Sequence, residues 1–505
     1  MGMVLAVDAG TTGIRALAFD ENGSLRDSAY RELAQHYPRP GWVEHDATEI
    51  WAHVASCLFE VAQRQKDAGQ AVAAIGVTNQ RETLVAWRRS TGEPIRPAIV
   101  WQDRRSAGLC DRLRNEGHED FVRARTGLVL DPYFTATKMS WLISEHEQAD
   151  PLEITSDLVM STVDAWVVWN LTGGTNGGVL ATDATNASRT LLYDIHEQRW
   201  SSELAELFGV SLGVLPGVIP SCGKVGVTAG DLGSSGGPLS SVPVSGIAGD
   251  QHAALFGQAC FRPAMAKVTN GTGSFVLLNL GTKVPTPADG VLTTVAWDLG
   301  EHGGAEPFIY ALEGSVFATG AAIQWLRDGL GIIDTAAQVG ELAGSIGDTE
   351  GVYVVPAFTG LGSPWWDPYA RGAIVGLTGG VGRAHLARAV VESMAFQVRD
   401  VIDAMAGTSK LEALRADGGA SVMDLLLQLL ADQLQAPVAR PVTTETTAFG
   451  AATLAGLAEG VWGSLDELAS LWKLDAEFAP RSSQAAADTK HASWLGAVDR
   501  ARSWA

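Results

Sequence analysis

Short apolar runs alternate with longer amphipathic segments along this chain of 505 residues. Residues 3–7 and 14–19 are apolar runs of strand length, and the turn between them, at 8–13, contains two glycines. Residues 49–66 have apolar positions at helical spacing, and residues 71–80 form an apolar run typical of a buried strand. Strands that alternate with helices in this way predict an α/β fold.

Further elements follow from the same two periods. We predict a strand at 98–101, helices at 137–148, 156–171 and 391–405, and a flexible loop at 231–241. An apolar run beginning at Val244 ends at Gly249, and we expect a helix directly after it, so that Asp250 lies at a strand-to-helix turn. The last 25 residues are polar and rich in alanine, and they show no pattern that predicts an element.

A second glycine-containing turn repeats the first one. Residues 265–281 form a strand, a Gly-Thr-Gly-Ser turn and another strand, so two similar hairpins each open one half of the chain. This repetition indicates an internal duplication. Both turns offer consecutive backbone N–H groups suited to phosphate oxygens, although an ordinary hairpin turn can have the same composition.

A third glycine turn, at 416–421, precedes another predicted helix. We assign its apolar face to Val422, Leu425, Leu426 and Leu429, and its polar stripe to Asp424, Gln428 and Asp432. Small residues at the start of this helix would let a phosphate or a flat ring approach the backbone. A plain loop before a surface helix is the alternative.

Charge and composition exclude several classes of partner. The chain has 36 Lys and Arg against 57 Asp and Glu, a net charge of −21, which argues against a nucleic-acid or anionic-membrane partner. No apolar run approaches the roughly 18 residues that a membrane-spanning helix requires. The four cysteines lie far apart and form no CxxC pair, so we expect buried thiols in a reducing compartment, the cytoplasm.

Polar clusters follow several predicted strands, where α/β proteins gather functional groups. They lie at 78–82, 101–104 and 131–134, and their arginine, glutamate and tyrosine could bind the hydroxyls of a small polyol while aromatic rings cover its C–H faces. A solvated salt bridge, a core tryptophan and, at Asp250, a helix cap are the structural alternatives. A further polar run at 181–194 has a role that the pattern does not fix.

Seven motifs together resemble the FGGY carbohydrate-kinase family, in particular its members that phosphorylate glycerol. They are GWVEHDATEIW at 41–51, IGVTNQRET at 75–83, VWQDR at 100–104, DPYF at 131–134, TNASRT at 185–190, SGIAGDQ at 245–251 and PWWDPYARGAIVGLT at 364–378. The resemblance runs from about residue 3 to about residue 475. The glycine hairpins are shared by the wider actin, Hsp70 and sugar-kinase group of ATPases and are less specific.

The resemblance implies a fold, a domain division and an assembly. The fold would consist of two ribonuclease-H-like domains of the actin/Hsp70/sugar-kinase type, with the active site in the cleft between them. The N-terminal domain, residues 1–249, would bind the polyol and carry the first phosphate hairpin. The C-terminal domain, residues 250–475, would bind the nucleotide, and residues 476–505 would form a tail. A homodimer or homotetramer is implied as well.

The resemblance also implies a reaction: ATP-dependent phosphorylation of glycerol to sn-glycerol 3-phosphate, with Mg²⁺ at Asp8 and Asp250 and with Asp250 as the general base. Glycerol would be bound by Arg81, Glu82, Trp101, Tyr133, Asp250, Gln251 and Phe275. ATP would contact Thr11, Thr12, Gly13, Arg15, Thr272, Gly320, Gln324, Gly419 and Met423.

This chain departs from the family pattern at two nucleotide positions. The first hairpin reads DAGTTGIR where glycerol-phosphorylating members usually have DQGTTSSR, so a hydroxyl is lost at Gly13. Met423 and Asp424 stand where the family commonly has two asparagines, one of which contacts the adenine. Two other functions remain open: a kinase of the same family for another polyol or a ketose such as xylulose, ribulose or erythritol, and an actin-like nucleotide-gated binding protein.

Overall fold

The computed structural model of the protein describes residues 2–144, 151–230, 232–284, 287–405 and 411–504. Residues 145–148 of one predicted helix and Asp231 of the predicted loop lie outside them. In the first half of the chain the strands are β1 (Met3–Ala9), β2 (Gly13–Phe19), β3 (Leu25–Glu32), β4 (Glu44–His45), β5 (Val72–Asn79), β6 (Leu84–Arg88), β7 (Ala98–Ile99), β8 (Leu158–Thr162), β9 (Ala181–Asp183), β10 (Tyr193–Asp194), β11 (Arg199–Trp200), β12 (Gly217–Ile219), β13 (Cys222–Val227) and β14 (Pro243–Gly249). The helices of this half are α1 (Ala47–Asp67), α2 (Ala107–Asn115), α3 (Glu119–Thr126), α4 (Thr135–Ile143), α5 (Val163–Leu171), α6 (Ala184–Ala187) and α7 (Ser202–Leu207).

The second half of the chain also mixes strands and helices. Its strands are β15 (Met265–Asn270), β16 (Ser274–Gly281), β17 (Leu292–Asp298), β18 (Phe308–Val316), β19 (Tyr353–Val355), β20 (Ala373–Val375), β21 (Ala413–Asp417), β22 (Val438–Pro441) and β23 (Leu474–Phe478). Its helices are α8 (Asp250–Gly257), α9 (Gly320–Gln324), α10 (Gln338–Gly344), α11 (Arg383–Met405), α12 (Asp424–Leu434), α13 (Thr446–Ala458), α14 (Leu465–Leu471) and α15 (Gln484–Ala501).

Two large mixed sheets share one six-stranded topology, to which the second adds β17 at one edge. The first has the strand order β13-β14-β5-β1-β2-β3, and the second has the order β17-β18-β16-β15-β21-β22-β23. In each sheet a glycine hairpin, β1–β2 or β15–β16, is antiparallel, and its first strand pairs in parallel with the strand beyond it. The α/β prediction and the internal duplication are therefore confirmed.

Three apolar layers pack around these sheets. One buries α1 and α5 against the first sheet, and another buries α11 and α12 against the second. The third contains side chains of both sheets together with those of α8 and α13, so it joins the two halves of the molecule. The four cysteines are buried and free, as predicted. Within the described ranges, no helix has the length and apolar character to cross a membrane.

The structure corrects three predictions about individual elements. The predicted helix at 156–171 is a strand followed by a helix, because the buried run Leu158–Thr162 pairs with β6, and a fully buried apolar run does not distinguish the two by its period. On α12 the buried leucines are 426, 427 and 430, whereas Val422 lies before the helix and is exposed. The last 25 residues, for which no element is predicted, contain α15, which is fixed by hydrogen bonds from His491 and Trp494 to Asp400.

Candidate active site

The first glycine hairpin lies at the end of β1, where Asp8 is buried. Arg15 on β2 donates to Asp8 at 2.8 Å and to Glu445 at 2.6 Å, so it links the first sheet to the loop before α13. Within the turn, Gly10 N donates to Gly13 O at 3.1 Å. Burial raises the pKa of Asp8, and the nearby carboxylate of Asp250 adds to the increase while Arg15 opposes it.

The second hairpin gathers the other predicted nucleotide residues. Gly320 N donates to Gly271 O at 3.0 Å, and the backbone of Thr272 accepts hydrogen bonds from the start of α9. A side chain at Gly418 would lie 2.6 Å from the carbonyl oxygen of Asn270, so the turn at 416–421 packs against the end of β15. Thr272, Gly320 and Gly419 thus lie on adjoining turns at the ends of neighbouring strands of the second sheet.

Two other residues predicted to bind the nucleotide, Gln324 and Met423, lie outside these turns. Gln324 is the last residue of α9 and is exposed. Met423 is half-buried and packs toward Gly340, where an added Cβ would lie 3.3 Å from its Cγ. Asp424 forms a 2.8 Å ion pair with Arg440.

A tight backbone reversal after β5 places Arg81 and Glu82 in the cleft between the sheets. Glu82 has a φ of 58°, in the left-handed region that non-glycine residues seldom adopt, and such strain is typical of functional sites. Arg81 lies against Gly249, where a Cβ would be 2.7 Å from Cδ and Cγ of the arginine. Glycine at that position therefore allows Arg81 to reach the N-terminus of α8.

Four charged side chains form a buried network between the two halves. Arg81 donates to Glu313 through both Nη atoms, at 2.5 and 2.9 Å, and Arg189 donates to Glu313 at 3.0 Å and to Glu82 at 2.7 Å. None of these four residues is more than 3% exposed. Burial would raise the pKa of Glu313, but Arg189 and Arg81 outweigh it and hold that pKa well below its ordinary value. The carboxylate of Glu313 comes from β18, so the second sheet orients Arg81 and Arg189, which belong to the first half of the chain.

Asp250 is the first residue of α8 and borders this network. Its Oδ1 lies 3.1 Å from Arg81 Nε and accepts a hydrogen bond of 2.7 Å from Gln251 N. The side chain is 31% exposed, in contrast to its buried charged neighbours. Asp250 therefore lies beside Arg81 and close enough to Asp8 to affect its pKa, with its carboxylate partly open to solvent.

Aromatic rings enclose the space beside Arg81. Trp101 makes edge contacts with Tyr133 and Phe275, at centroid distances of 5.6 and 6.4 Å, and its Nε1 donates to Thr11 Oγ1 at 2.9 Å. The buried ammonium of Lys138 donates to the carbonyl oxygens of Pro132 and Tyr133 at 2.8 and 2.6 Å and so fixes the loop that carries Tyr133. The rings thus connect the first hairpin with both sheets.

Lys267 controls the orientation of the Gln251 amide. Its ammonium donates to Gln251 Oε1 and, at 2.9 Å, to Thr269 Oγ1. Burial lowers the pKa of Lys267 to about 8, and Asp417 and Asp250 oppose the shift. Because an ammonium is only a donor, it takes the oxygen of the amide and leaves the NH₂ group of Gln251 for another partner.

The structure brings most of the predicted site residues to one cleft. Those assigned to the polyol lie around the charged network and the aromatic rings, and the two glycine hairpins lie at its borders. Sequence reasoning missed Glu313 and Lys267 and left Arg189 without a role. For Glu313 and Lys267 the signal in the sequence was a charged residue within an apolar strand, since such a residue is seldom buried unless it is paired.

Both halves of the chain match one protein family. The N-terminal domain of the FGGY family of carbohydrate kinases matches residues 3–257, and the C-terminal domain matches residues 266–459. The chain belongs to the FGGY family of carbohydrate kinases. Membership of this kinase family implies the use of ATP.

Curated relatives extend over the whole length of this FGGY kinase. It is 49% identical to glycerol kinase 2 of Thermotoga maritima, over 100% of this chain and 99% of the relative. It is 50% identical to the glycerol kinase of Carboxydothermus hydrogenoformans, over 99% of this chain and 98% of the relative.

Solved structures share the architecture of this FGGY kinase. A crystal structure of Plasmodium falciparum glycerol kinase with ADP has a TM-score of 0.90 at 32% identity and covers 99% of this chain and 98% of its own. A xylulose kinase from Brucella ovis has a TM-score of 0.84 at 25% identity, with 99% and 97% coverage. The fold is the two-domain fold of the FGGY kinases, which is of the actin/Hsp70-like ATPase type.

Proposed function

We propose that this kinase transfers the γ-phosphoryl group of ATP to a terminal hydroxyl of glycerol and so forms sn-glycerol 3-phosphate. The observation that carries the proposal is the position of Asp250, which is half-open to the cleft between a polar and aromatic pocket and a glycine hairpin suited to phosphates. Full-length relatives that are about half identical carry the name glycerol kinase, which favours glycerol over a ketose.

The polyol site that we propose is small and mostly pre-formed. Arg81, Glu82, Tyr133 and the NH₂ group of Gln251 supply its polar contacts, and Trp101 and Phe275 cover the C–H faces. Since the rings contact one another and the charged groups are already paired, little rearrangement is needed when glycerol binds.

For the nucleotide, we propose that the two hairpins bind the phosphates from opposite sides of the cleft. The backbone and hydroxyls of Thr11, Thr12 and Gly13, with Arg15, would bind from one side, and Thr272, Gly320 and Gly419 from the other. Gln324 and Met423 would lie toward the nucleoside. Asp424 is committed to Arg440, so contact with the base is assigned to Met423 rather than to this carboxylate.

The carboxylates suit a magnesium ion that arrives with the nucleotide. Among the described residues no group of three His, Cys, Asp or Glu side chains forms a metal cage. Mg²⁺ usually takes one or two carboxylates together with substrate phosphates and water, and Asp250 lies close enough to Asp8 to contribute to its raised pKa. These two residues would hold Mg²⁺ through bridging water molecules, and the ion would supply neutralisation of the phosphate charge.

We assign proton transfer to Asp250. Its Oδ1 is occupied by Arg81 and by the backbone N–H of Gln251, so Oδ2 would accept the proton of the glycerol hydroxyl. The hydroxyl oxygen then forms a bond to the γ-phosphorus as the bond between that phosphorus and the bridging oxygen breaks, and ADP leaves. A positioned general base contributes about 10²- to 10⁴-fold, and alignment within a water-poor cleft supplies the rest.

The first prediction is that ADP release depends on glycerol. In a coupled assay with MgATP and a panel of polyols and ketoses, we expect kcat/KM for glycerol to exceed that for xylulose, ribulose and erythritol by about a hundredfold, because the rings of Trp101, Tyr133 and Phe275 contact one another around the space beside Arg81 and the full-length relatives carry the name glycerol kinase. A preference for a pentulose would replace glycerol with a ketose in this proposal. Nucleotide hydrolysis without any polyol, accompanied by polymerisation, would instead favour an actin-like protein.

The assembly into a homodimer or homotetramer and the cytoplasmic location both stay predictions.

A second prediction concerns Lys267. Lys267→Met keeps a long side chain but removes the donor that fixes the amide of Gln251, so the amide can turn its oxygen toward glycerol. We expect the KM for glycerol to rise about tenfold, the scale of one lost hydrogen bond to the substrate, with a smaller change in the KM for ATP. Steady-state kinetics measure both values. Lys224→Met, which removes an exposed lysine on β13, is the matched control and should leave both unchanged; equal kinetics for the two variants would contradict the role of Lys267.

A further inference from the structure

Asp8, Arg15 and Tyr30 form one row across three neighbouring strands. Asp8 on β1 is the direct cross-strand partner of Arg15 on β2, and Arg15 is the direct partner of Tyr30 on β3. Directly opposed residues project from the same face of a sheet. The face that carries the cleft carboxylate and the arginine therefore also carries a tyrosine to which no role has been assigned so far.

The ring of Tyr30 occupies the space that a side chain at Gly13 would fill. A Cβ at residue 13 would lie 2.2 Å from Cε2 and 2.5 Å from Oη of the tyrosine, so a side chain there would require the phenol to move off the hairpin. The absence of a side chain at Gly13 thus allows the phenol to lie on the hairpin. A serine hydroxyl at residue 13 would lie one bond beyond that Cβ, so Tyr30 Oη presents its hydroxyl in the same neighbourhood.

The hydroxyl of Tyr30 is available to a ligand. It donates to Thr12 O at 3.2 Å, a long hydrogen bond to a neutral acceptor, and the residue is 52% exposed. A hydrogen bond to a charged oxygen is roughly twice as strong as one between neutral groups, so a phosphate would compete with the carbonyl of Thr12. Thr12, Gly13 and Arg15, which surround the phenol, are three of the residues that we assign to the nucleotide.

We propose that Tyr30 is a nucleotide-binding residue whose hydroxyl donates to a phosphate oxygen of ATP at the first hairpin and replaces the hydroxyl missing at Gly13. This inference rests on the proposed function, since it takes the nucleoside triphosphate as the ligand of that hairpin. It assigns to β3, which lies beyond the hairpin itself, a direct part in binding the phosphates.

The test is direct binding of ADP and of a non-hydrolysable ATP analogue, each with Mg²⁺, measured by titration calorimetry. Tyr30→Phe keeps the ring on Gly13 and removes only the hydroxyl, so a role in packing is preserved. We expect the Kd of the analogue to rise about tenfold while the KM for glycerol changes less than about twofold. Tyr37→Phe is the matched control, because Tyr37 is also exposed and its hydroxyl contacts Gln35, outside the hairpin.

A reciprocal exchange makes the test independent of the single variant. Gly13→Ser alone should weaken binding of the analogue, because the new side chain requires the phenol of Tyr30 to leave the hairpin. Combining Gly13→Ser with Tyr30→Ala removes the phenol and restores a hydroxyl, so the Kd should return to within about threefold of the wild type.

Wild-type affinity in Tyr30→Phe, or no recovery in the double variant, would overturn the assignment. Wild-type turnover of glycerol, measured alongside, reports on the proposed function separately: a wild-type enzyme that binds nucleotide but ignores glycerol refutes the function and leaves the binding comparison interpretable.

Discussion

Asp250→Asn is expected to lower kcat for glycerol phosphorylation by about 10²- to 10⁴-fold, because the variant cannot accept the hydroxyl proton. Asparagine keeps the size of the side chain and an oxygen that can face Arg81, which lies 3.1 Å from the aspartate Oδ1. The pocket should therefore remain formed, and we expect the Kd for glycerol to change less than about fivefold. A loss of turnover without a comparable loss of binding identifies an interaction made in the transition state.

Steady-state assays with protein purified free of host kinase measure kcat, and calorimetry measures the Kd for glycerol. Asp120→Asn, at an exposed position in the first turn of α3, is the matched control and should behave as the wild type. Substantial activity in Asp250→Asn would remove this residue from the role of base. A parallel loss of binding and turnover would instead make it a binding residue.

The glycine hairpins were predictable because each has a strong local signal. Alternating or continuous apolar runs on both sides of a Gly-Thr turn fix strand, turn and strand without reference to the rest of the chain, and the structure has β1–β2 and β15–β16 at these positions. The helix predicted over 158–162 was wrong, because every residue there is buried and a fully buried helix and a fully buried strand have the same apolar pattern. The pairing with β6, a long-range contact, decides that segment.

The residues of the candidate site also fall into a group that local motifs predict and a group that only long-range contacts define. Arg81, Glu82 and Tyr133 lie in short motifs that resemble one family, so their grouping in the cleft could be expected. Glu313 has no such motif, and its partners lie more than a hundred positions away in the chain. Only the approach of the two sheets creates this contact, and no local pattern reports the distance between them.

Because Glu313 is the one carboxylate in the network that comes from the second sheet, its removal should have the largest effect on stability. Glu313→Gln keeps the shape but leaves the guanidinium groups of Arg81 and Arg189 with one fewer negative charge in a buried site. Removing one partner of a buried ion pair typically costs about 3–5 kcal/mol in the free energy of unfolding. We also expect the KM for glycerol to rise, since Arg81 loses the acceptor that holds both of its Nη atoms.

Denaturant titration followed by tryptophan fluorescence and steady-state kinetics provide the two measurements. Glu392→Gln is the matched control: this buried carboxylate pairs with Arg388 on α11, outside the cleft, so its loss should lower stability without changing the KM for glycerol. Adding Arg189→Met to Glu313→Gln should recover part of the lost stability, because Arg81 and Glu82 then remain as a balanced pair. If Glu313→Gln is as stable as the wild type, the buried ion pairs do not stabilise the contact between the two sheets. If its KM for glycerol is unchanged, as in the control, the network does not position Arg81 for the polyol.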